Sequence, residues 1–242
     1  MPEQTQPQLI RPSTALPAKR EAITIITSDG LKLVGEVATP IHGDRSNAIL
    51  CLHPRPTHGG MMDSHLFKKA ANRLPAMAGL TIVRFNTRGT SSEHGKSEGE
   101  FGNGVTEVSD VRAAIEYCFA TLKVKKLWIL GWSFGTDLAL QHARDSRIEG
   151  LILLSPPLMS TSEEDLRFWN EDGRAIYALV PEHDDFLNPD QAEKRFAPVK
   201  QLRLIAVKDA KHLWIGEPFV YRALSEIVKI IAPEKLPLPI EI

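Results

Sequence analysis

Ser133, Asp184 and His212 follow one another in this 242-residue chain in an order and in local settings that suit nucleophilic acyl transfer. Ser133 stands at the centre of Gly131-Trp132-Ser133-Phe134-Gly135, directly after the apolar run Lys125-Lys126-Leu127-Trp128-Ile129-Leu130 and directly before a helix-like stretch at 136–143. A G-x-S-x-G pentapeptide between a strand and a helix reads as a nucleophile elbow, with the serine Oγ held out at the tip of the strand. Glycine at both ends removes Cβ atoms where the strained turn forces the backbone against its neighbours. A serine hydroxyl is a poor nucleophile at neutral pH. It needs a base within hydrogen-bond reach and a third group to hold that base in one tautomer.

Those partners are expected later in the chain, acid first and histidine last. The strand-like run 175–180 is followed by Pro181-Glu182-His183-Asp184-Asp185, and a carboxylate just past a strand end points into the crevice where open parallel sheets bind ligands. Asp184 is the expected acid and Asp185 the reserve. A second strand-like run, 202–207, leads through Lys208-Asp209-Ala210-Lys211 to His212, on a loop before the last helical pattern. His212 is therefore the expected general base.

The elements that must hold these side chains are legible as apolar runs. Strands are predicted at 22–27, 31–38, 48–52, 80–85, 126–130, 151–154, 174–180 and 202–207, with helices at about 63–77, 105–122, 134–145, 189–198 and 217–231. The Ser28-Asp29-Gly30 turn makes the first two strands a hairpin. From residue 48 onward strands and helices alternate, which predicts an α/β fold with a mostly parallel eight-stranded sheet and helices on both faces. Roughly twenty residues separate the strand at 151–154 from the next, enough for a short helix but not for a separate lid domain. Met159, Phe168 and Trp169 in that interval, with Trp214 beside His212, are candidates to line a substrate pocket. Prolines at 2, 7, 12 and 17 among Gln, Ser and Thr predict a flexible lead over 1–20, ahead of a single domain over 21–242.

Three segments together resemble the α/β-hydrolase fold serine hydrolases, in particular the compact, lidless esterase or dienelactone-hydrolase-like group. They are His53-Pro54-Arg55-Pro56-Thr57-His58-Gly59-Gly60, Phe85-Asn86-Thr87-Arg88-Gly89 and the elbow itself, and the resemblance spans roughly residues 21 to 231. It implies an oxyanion hole in which one donor is the backbone N–H of Phe134, the residue after the nucleophile, and the other comes from the turn after the strand at 48–52. Pro54 has no N–H to give, so Arg55 is the nearest donor there; its guanidinium is read as solvated or salt-bridged, with binding of a substrate carboxylate as the alternative. The chain departs from the pattern twice. Dienelactone hydrolases proper carry cysteine at the elbow, so their lactone specificity is not implied for Ser133. The loop Thr90 to Gly99 is a few residues longer, which bears on access to the site.

Composition fits this assignment without establishing it. With 43% hydrophobic residues the chain can bury one substantial core, and its net charge of −1 gives no reason to expect nucleic acid or an anionic membrane. Cys51 and Cys118 lack metal-ligand or redox spacing and read as core thiols. The first twenty residues have no apolar leader core and no stretch is long enough to span a membrane, so a cytoplasmic location is expected. The apolar tail 236–242 can dock on its own domain or on a second subunit, which leaves a homodimer open.

Competing motifs are weaker. Gly89 to Gly95-Lys96-Ser97 has one residue too many for a phosphate loop, and no helix follows it. His53, His58, Asp63 and His65 are dense but lack a metal-ligand spacing. Gly102-Asn103-Gly104 lacks the third glycine of a dinucleotide fingerprint and reads as a loop. The expected activity is hydrolysis of a carboxylic ester of a small or medium substrate without cofactor or metal. The alternatives are peptide or amide hydrolysis, or acyl transfer, by the same residues. A ligand- or partner-binding role without turnover is the alternative from another class.

Overall fold

Apolar side chains that alternate between two buried layers build the central sheet of this protein. The computed structural model describes residues 9–241. On β3 (Asn47–Leu52), Ala48, Leu50 and Leu52 enter one core layer while Ile49 and Cys51 enter the other. The same alternation runs along β5 (Lys126–Trp132), where Leu127 and Ile129 face one side and Leu130 and Trp132 the other. Both faces are covered, so these strands read in the sequence as continuous hydrophobic runs.

The remaining strands are β1 (Lys19–Ile26), β2 (Lys32–Thr39), β4 (Thr81–Phe85), β6 (Gly150–Leu154), β7 (Ala175–His183) and β8 (Leu202–Lys211). They form one eight-stranded sheet in the order β1-β2-β4-β3-β5-β6-β7-β8. β2 runs antiparallel to β1 and β4, and every other neighbouring pair is parallel. One face carries α1 (His65–Ala78) and α6 (Glu217–Ile231). The other carries α2 (Val108–Glu116), α3 (Phe134–His142), α4 (Glu163–Asp172) and α5 (Pro189–Phe196). The interval between β6 and β7 holds only α4, started by a capping box in which Ser162 Oγ accepts from the Asp165 N–H at 3.2 Å and Asp165 Oδ2 accepts from the Ser162 N–H at 2.7 Å.

Two stretches depart from the sequence expectation. β7 and β8 run three and four residues past the predicted ends at 180 and 207, because ladder hydrogen bonding near the sheet edge tolerates Glu182, His183 and Lys208 with their side chains in solvent. The lead, expected to be flexible over 1–20, packs against the domain from residue 9 onward; residues 1–8 lie outside the described residues. Leu16 is buried and its N–H reaches the Asn72 carbonyl at 2.8 Å, Arg73 Nη2 donates to the Arg11 carbonyl at 3.0 Å, and Lys19 already belongs to β1. One buried leucine and a few hydrogen bonds to the backbone outweigh the polar, proline-rich composition. The tail closes on the same domain: Leu238 is buried, Tyr221 Oη donates to its carbonyl at 2.8 Å, and the Ile10 N–H meets the Ile240 carbonyl at 2.8 Å. Cys51 and Cys118 are core residues, and burial pushes the Cys51 thiol up to about 12 and raises that of Cys118 as well.

Candidate active site

The elbow is forced by contact. A Cβ on Gly135 would lie 1.9 Å from the Leu52 carbonyl oxygen, and one on Gly131 would lie 2.5 Å from the Gly135 carbonyl oxygen. Only glycine lets α3 start this close to the ends of β3 and β5. Between them Ser133 is held at φ 53° and ψ −121°, a strained conformation for a residue with a side chain. Three hydrogen bonds hold it there: its N–H to the Leu154 carbonyl at 2.9 Å, and its carbonyl to Thr136 N–H and Thr136 Oγ1, each at 2.7 Å.

Ser133, His212 and Asp184 form one hydrogen-bonded line. Ser133 Oγ is 2.9 Å from His212 Nε2, and His212 Nδ1 lies 3.0 and 2.9 Å from the two carboxylate oxygens of Asp184. A carboxylate only accepts, so Nδ1 donates and Nε2 is left to accept from Ser133 Oγ. Sheet register produces the encounter. β8 shifts register between Val207 and Lys211, so that Lys211 pairs with His183 and the next residues in each chain are His212 and Asp184. Asp184 Oδ1 also accepts the Phe186 N–H at 2.9 Å, and its side chain is 2% exposed. Asp185, the reserve acid, is exposed.

Contacts that sequence reasoning did not foresee hold the histidine. The His212 carbonyl accepts from Trp132 Nε1 at 3.1 Å and from Ser155 Oγ at 3.0 Å. Ser155, at the end of β6 with φ 49°, in turn accepts from Trp214 Nε1 at 2.9 Å. His65 Nε2 donates to the Leu213 carbonyl at 2.7 Å, and its ring meets Trp132 edge-on at 5.3 Å. The elbow therefore carries the anchor of the His212 loop in the residue before Ser133. The one available signal was a large side chain with a single N–H donor in the variable position of the pentapeptide.

The turn after β3 lies against the elbow, since a Cβ on Gly135 would also come within 2.9 Å of the His53 carbonyl oxygen. His53 is 1% exposed, and burial depresses its pKa to about 4. Its neutral ring donates from Nδ1 to the Pro54 carbonyl at 2.7 Å and accepts the Thr87 N–H at Nε2 at 3.0 Å. In a trans peptide the C=O and N–H point in opposite directions, so fixing the Pro54 carbonyl on the His53 side turns the Arg55 N–H to the other side. Among the described residues neither the Arg55 N–H nor the Phe134 N–H has an acceptor. The Phe134 N–H also opens α3, where helix N-termini favour negative charge. The Arg55 guanidinium donates to Asn103 Oδ1 at 2.8 Å and lies over the Phe134 and Phe101 rings at 5.3 and 5.5 Å.

The other candidates fall elsewhere. Trp169 and Trp214 were expected to line a pocket, but both are wholly buried. Helical spacing turns Trp169 inward with Leu166, its Nε1 bonded to the Leu140 carbonyl at 2.8 Å, and the turn after His212 folds Trp214 beneath it onto Ser155. Phe168 is half-buried against Trp169 and Arg144. Of the four only Met159 is exposed. Arg88 is structural, donating to Asp110 at 2.8 and 3.0 Å and to Asp29 at 2.9 and 3.2 Å. His53, His58, Asp63 and His65 separate: His58 is exposed, and Asp63 is taken by Arg84 at 3.0 Å and His94 at 2.9 Å. The long loop 90–99 forms a short hairpin pinned by Asn86 Nδ2 to Ser92 Oγ at 2.9 Å, against the N-terminal strands.

Comparison with known proteins agrees with this architecture. The family model for the alpha/beta hydrolase fold matches residues 47–201. The uncharacterized protein RP471 of Rickettsia prowazekii (strain Madrid E) is 31% identical over 146 residues, 60% of this chain and 59% of that protein. The match thus spans about three fifths of that relative's length. An alpha-beta serine hydrolase homologue from Coxiella burnetii superposes with a TM-score of 0.75 at 24% identity, covering 88% of this chain and 97% of the other. XC6422 from Xanthomonas campestris, an a/b serine hydrolase without lid, gives a TM-score of 0.70 at 24% identity, covering 94% of this chain and 100% of the other.

Proposed function

Because the chain belongs to the alpha/beta hydrolase fold family, we propose that it is a serine hydrolase that cleaves carboxylic esters of small to medium substrates through an acyl-enzyme. The observation that carries this reading is the line Ser133 Oγ, His212 Nε2 and Nδ1, Asp184, with contacts of 2.9 to 3.0 Å. In the first half-reaction Ser133 Oγ attacks the ester carbonyl while His212 Nε2 takes the hydroxyl proton. The carbonyl electron pair becomes an oxyanion, received by the Phe134 and Arg55 N–H groups, each contributing roughly 3 kcal/mol to transition-state stabilisation. Collapse expels the alcohol oxygen, which takes the proton back from Nε2. In the second half-reaction water attacks the acyl carbonyl while His212 Nε2 takes its proton, and collapse breaks the bond to Ser133 Oγ, which takes that proton from Nε2 as the acid is released. Asp184 stabilises the imidazolium that forms twice in each turnover.

The test is hydrolysis of p-nitrophenyl acetate to decanoate, with fluorophosphonate labelling, by wild type, Ser133→Ala, His212→Ala, Asp184→Asn and Asp185→Asn. Loss of about 10³-fold or more in kcat is expected for the first three variants, and little change for Asp185→Asn. Folded wild type that neither turns over any ester nor takes up the label would refute the reading.

A further inference from the structure

The donor that returns the proton to the leaving group fixes where the alcohol half of an ester must lie. Building on the reading above, the alcohol oxygen sits within hydrogen-bond reach of His212 Nε2, about 3 Å, when it departs. The carbonyl oxygen points the other way, to the Phe134 and Arg55 N–H groups. An apolar side chain packed on the imidazole is therefore a neighbour available to the alcohol.

The side chain packed on the imidazole is apolar and half-exposed. The Phe186 ring lies with its centroid 4.7 Å from that of the His212 ring, tilted by 51°, yet Phe186 is 48% exposed. Leu213 and Ile215, directly after the histidine, are 51% and 71% exposed. Of the nine large apolar side chains exposed among the described residues, these three stand on the two short loops that carry the acid and the base. Their backbone is anchored: the Phe186 N–H is bonded to Asp184 Oδ1 at 2.9 Å, and the Leu213 carbonyl accepts from His65 at 2.7 Å. The oxyanion side differs in kind, with the Arg55 guanidinium over Phe134 at 5.3 Å.

We propose that Phe186, flanked by Leu213 and Ile215, forms the subsite for the leaving alcohol and that the enzyme selects esters of apolar alcohols. A rival role for Phe186 is to shield the His212–Asp184 pair from water. The two roles separate kinetically, because a shield acts equally on every ester whereas a subsite acts in proportion to the alcohol's apolar size.

The experiment is kcat/KM for straight-chain acetates from ethyl to octyl, whose alcohols have nearly equal leaving-group basicity, and for methyl esters from acetate to octanoate. Wild type, Phe186→Ala, Phe186→Leu and Ile215→Ser are compared after their folding is checked by circular dichroism. The expected result is a rise of about tenfold or more from ethyl to hexyl acetate, largely abolished by Phe186→Ala and largely restored by Phe186→Leu, with the acyl series keeping its slope. An equal loss on all acetates, or a wild type indifferent to alcohol length, overturns the subsite while leaving the esterase reading intact. Absence of any turnover together with no fluorophosphonate labelling overturns both.

Discussion

Protonation of His53 would place a second N–H against that of Thr87, 3.0 Å from Nε2, inside the core. Burial depresses its pKa to about 4, below the ordinary value of 6.5. A histidine whose folded value is depressed stabilises the protein fully above the unfolded value, and this contribution is lost as pH falls from 6.5 toward 4. Burial depresses His65 and His142 in the same direction. Asp110 and Asp137, raised mainly by burial, act with the opposite sign. Only a difference between variants isolates one residue. Urea unfolding at pH 7 and pH 5 should show His53→Gln losing about 2 kcal/mol less than wild type across that interval. Equal losses would show that the ring already accepts a proton in the folded state. That Ser133, Asp184 and His212 would meet was legible, because the proposed roles require particular residue types at strand ends. The supports of the His212 carbonyl were not: Trp132 and Ser155 reach it across separations of 80 and 57 residues that no local pattern encodes.

At the level of elements, the site depends on two local deformations, the elbow at the end of β5 and the register shift in β8. The first was readable because two glycines in five residues announce a turn without room for Cβ atoms. Gly135→Ala tests it: a Cβ 1.9 Å from the Leu52 carbonyl oxygen must push α3 away from β3. Destabilisation of about 3 kcal/mol or more is expected in urea titration, with fluorophosphonate labelling of the remaining folded protein slowed at least about tenfold. Unchanged labelling would mean that the turn relaxes without moving the serine. The shift in β8 was hidden, because Lys208, Asp209 and Lys211 look like loop residues although all belong to the strand. There the backbone of β7 sets the pairing, and side-chain type carries little information.

In the whole molecule the eight-strand arrangement followed from where apolar runs begin and end, whereas the clasp of lead and tail did not, since it rests on a few contacts such as Ile10 N–H to the Ile240 carbonyl. Composition averages over such contacts. β3 sits inside the sheet between β4 and β5, and Cys51 on it is 1% exposed with its thiol pushed up to about 12. Cys118, packed under the same sheet, is equally inaccessible. Two inert thiols at the centre of the domain amount to a built-in clock for its opening. A disulfide reagent such as dithionitrobenzoate should modify native protein only through rare excursions, at a rate that rises with urea in step with global unfolding. Modification as fast as that of a free thiol in water would instead show a sheet that opens locally around β3, and with it an elbow that loses contact with the Leu52 carbonyl long before the protein unfolds.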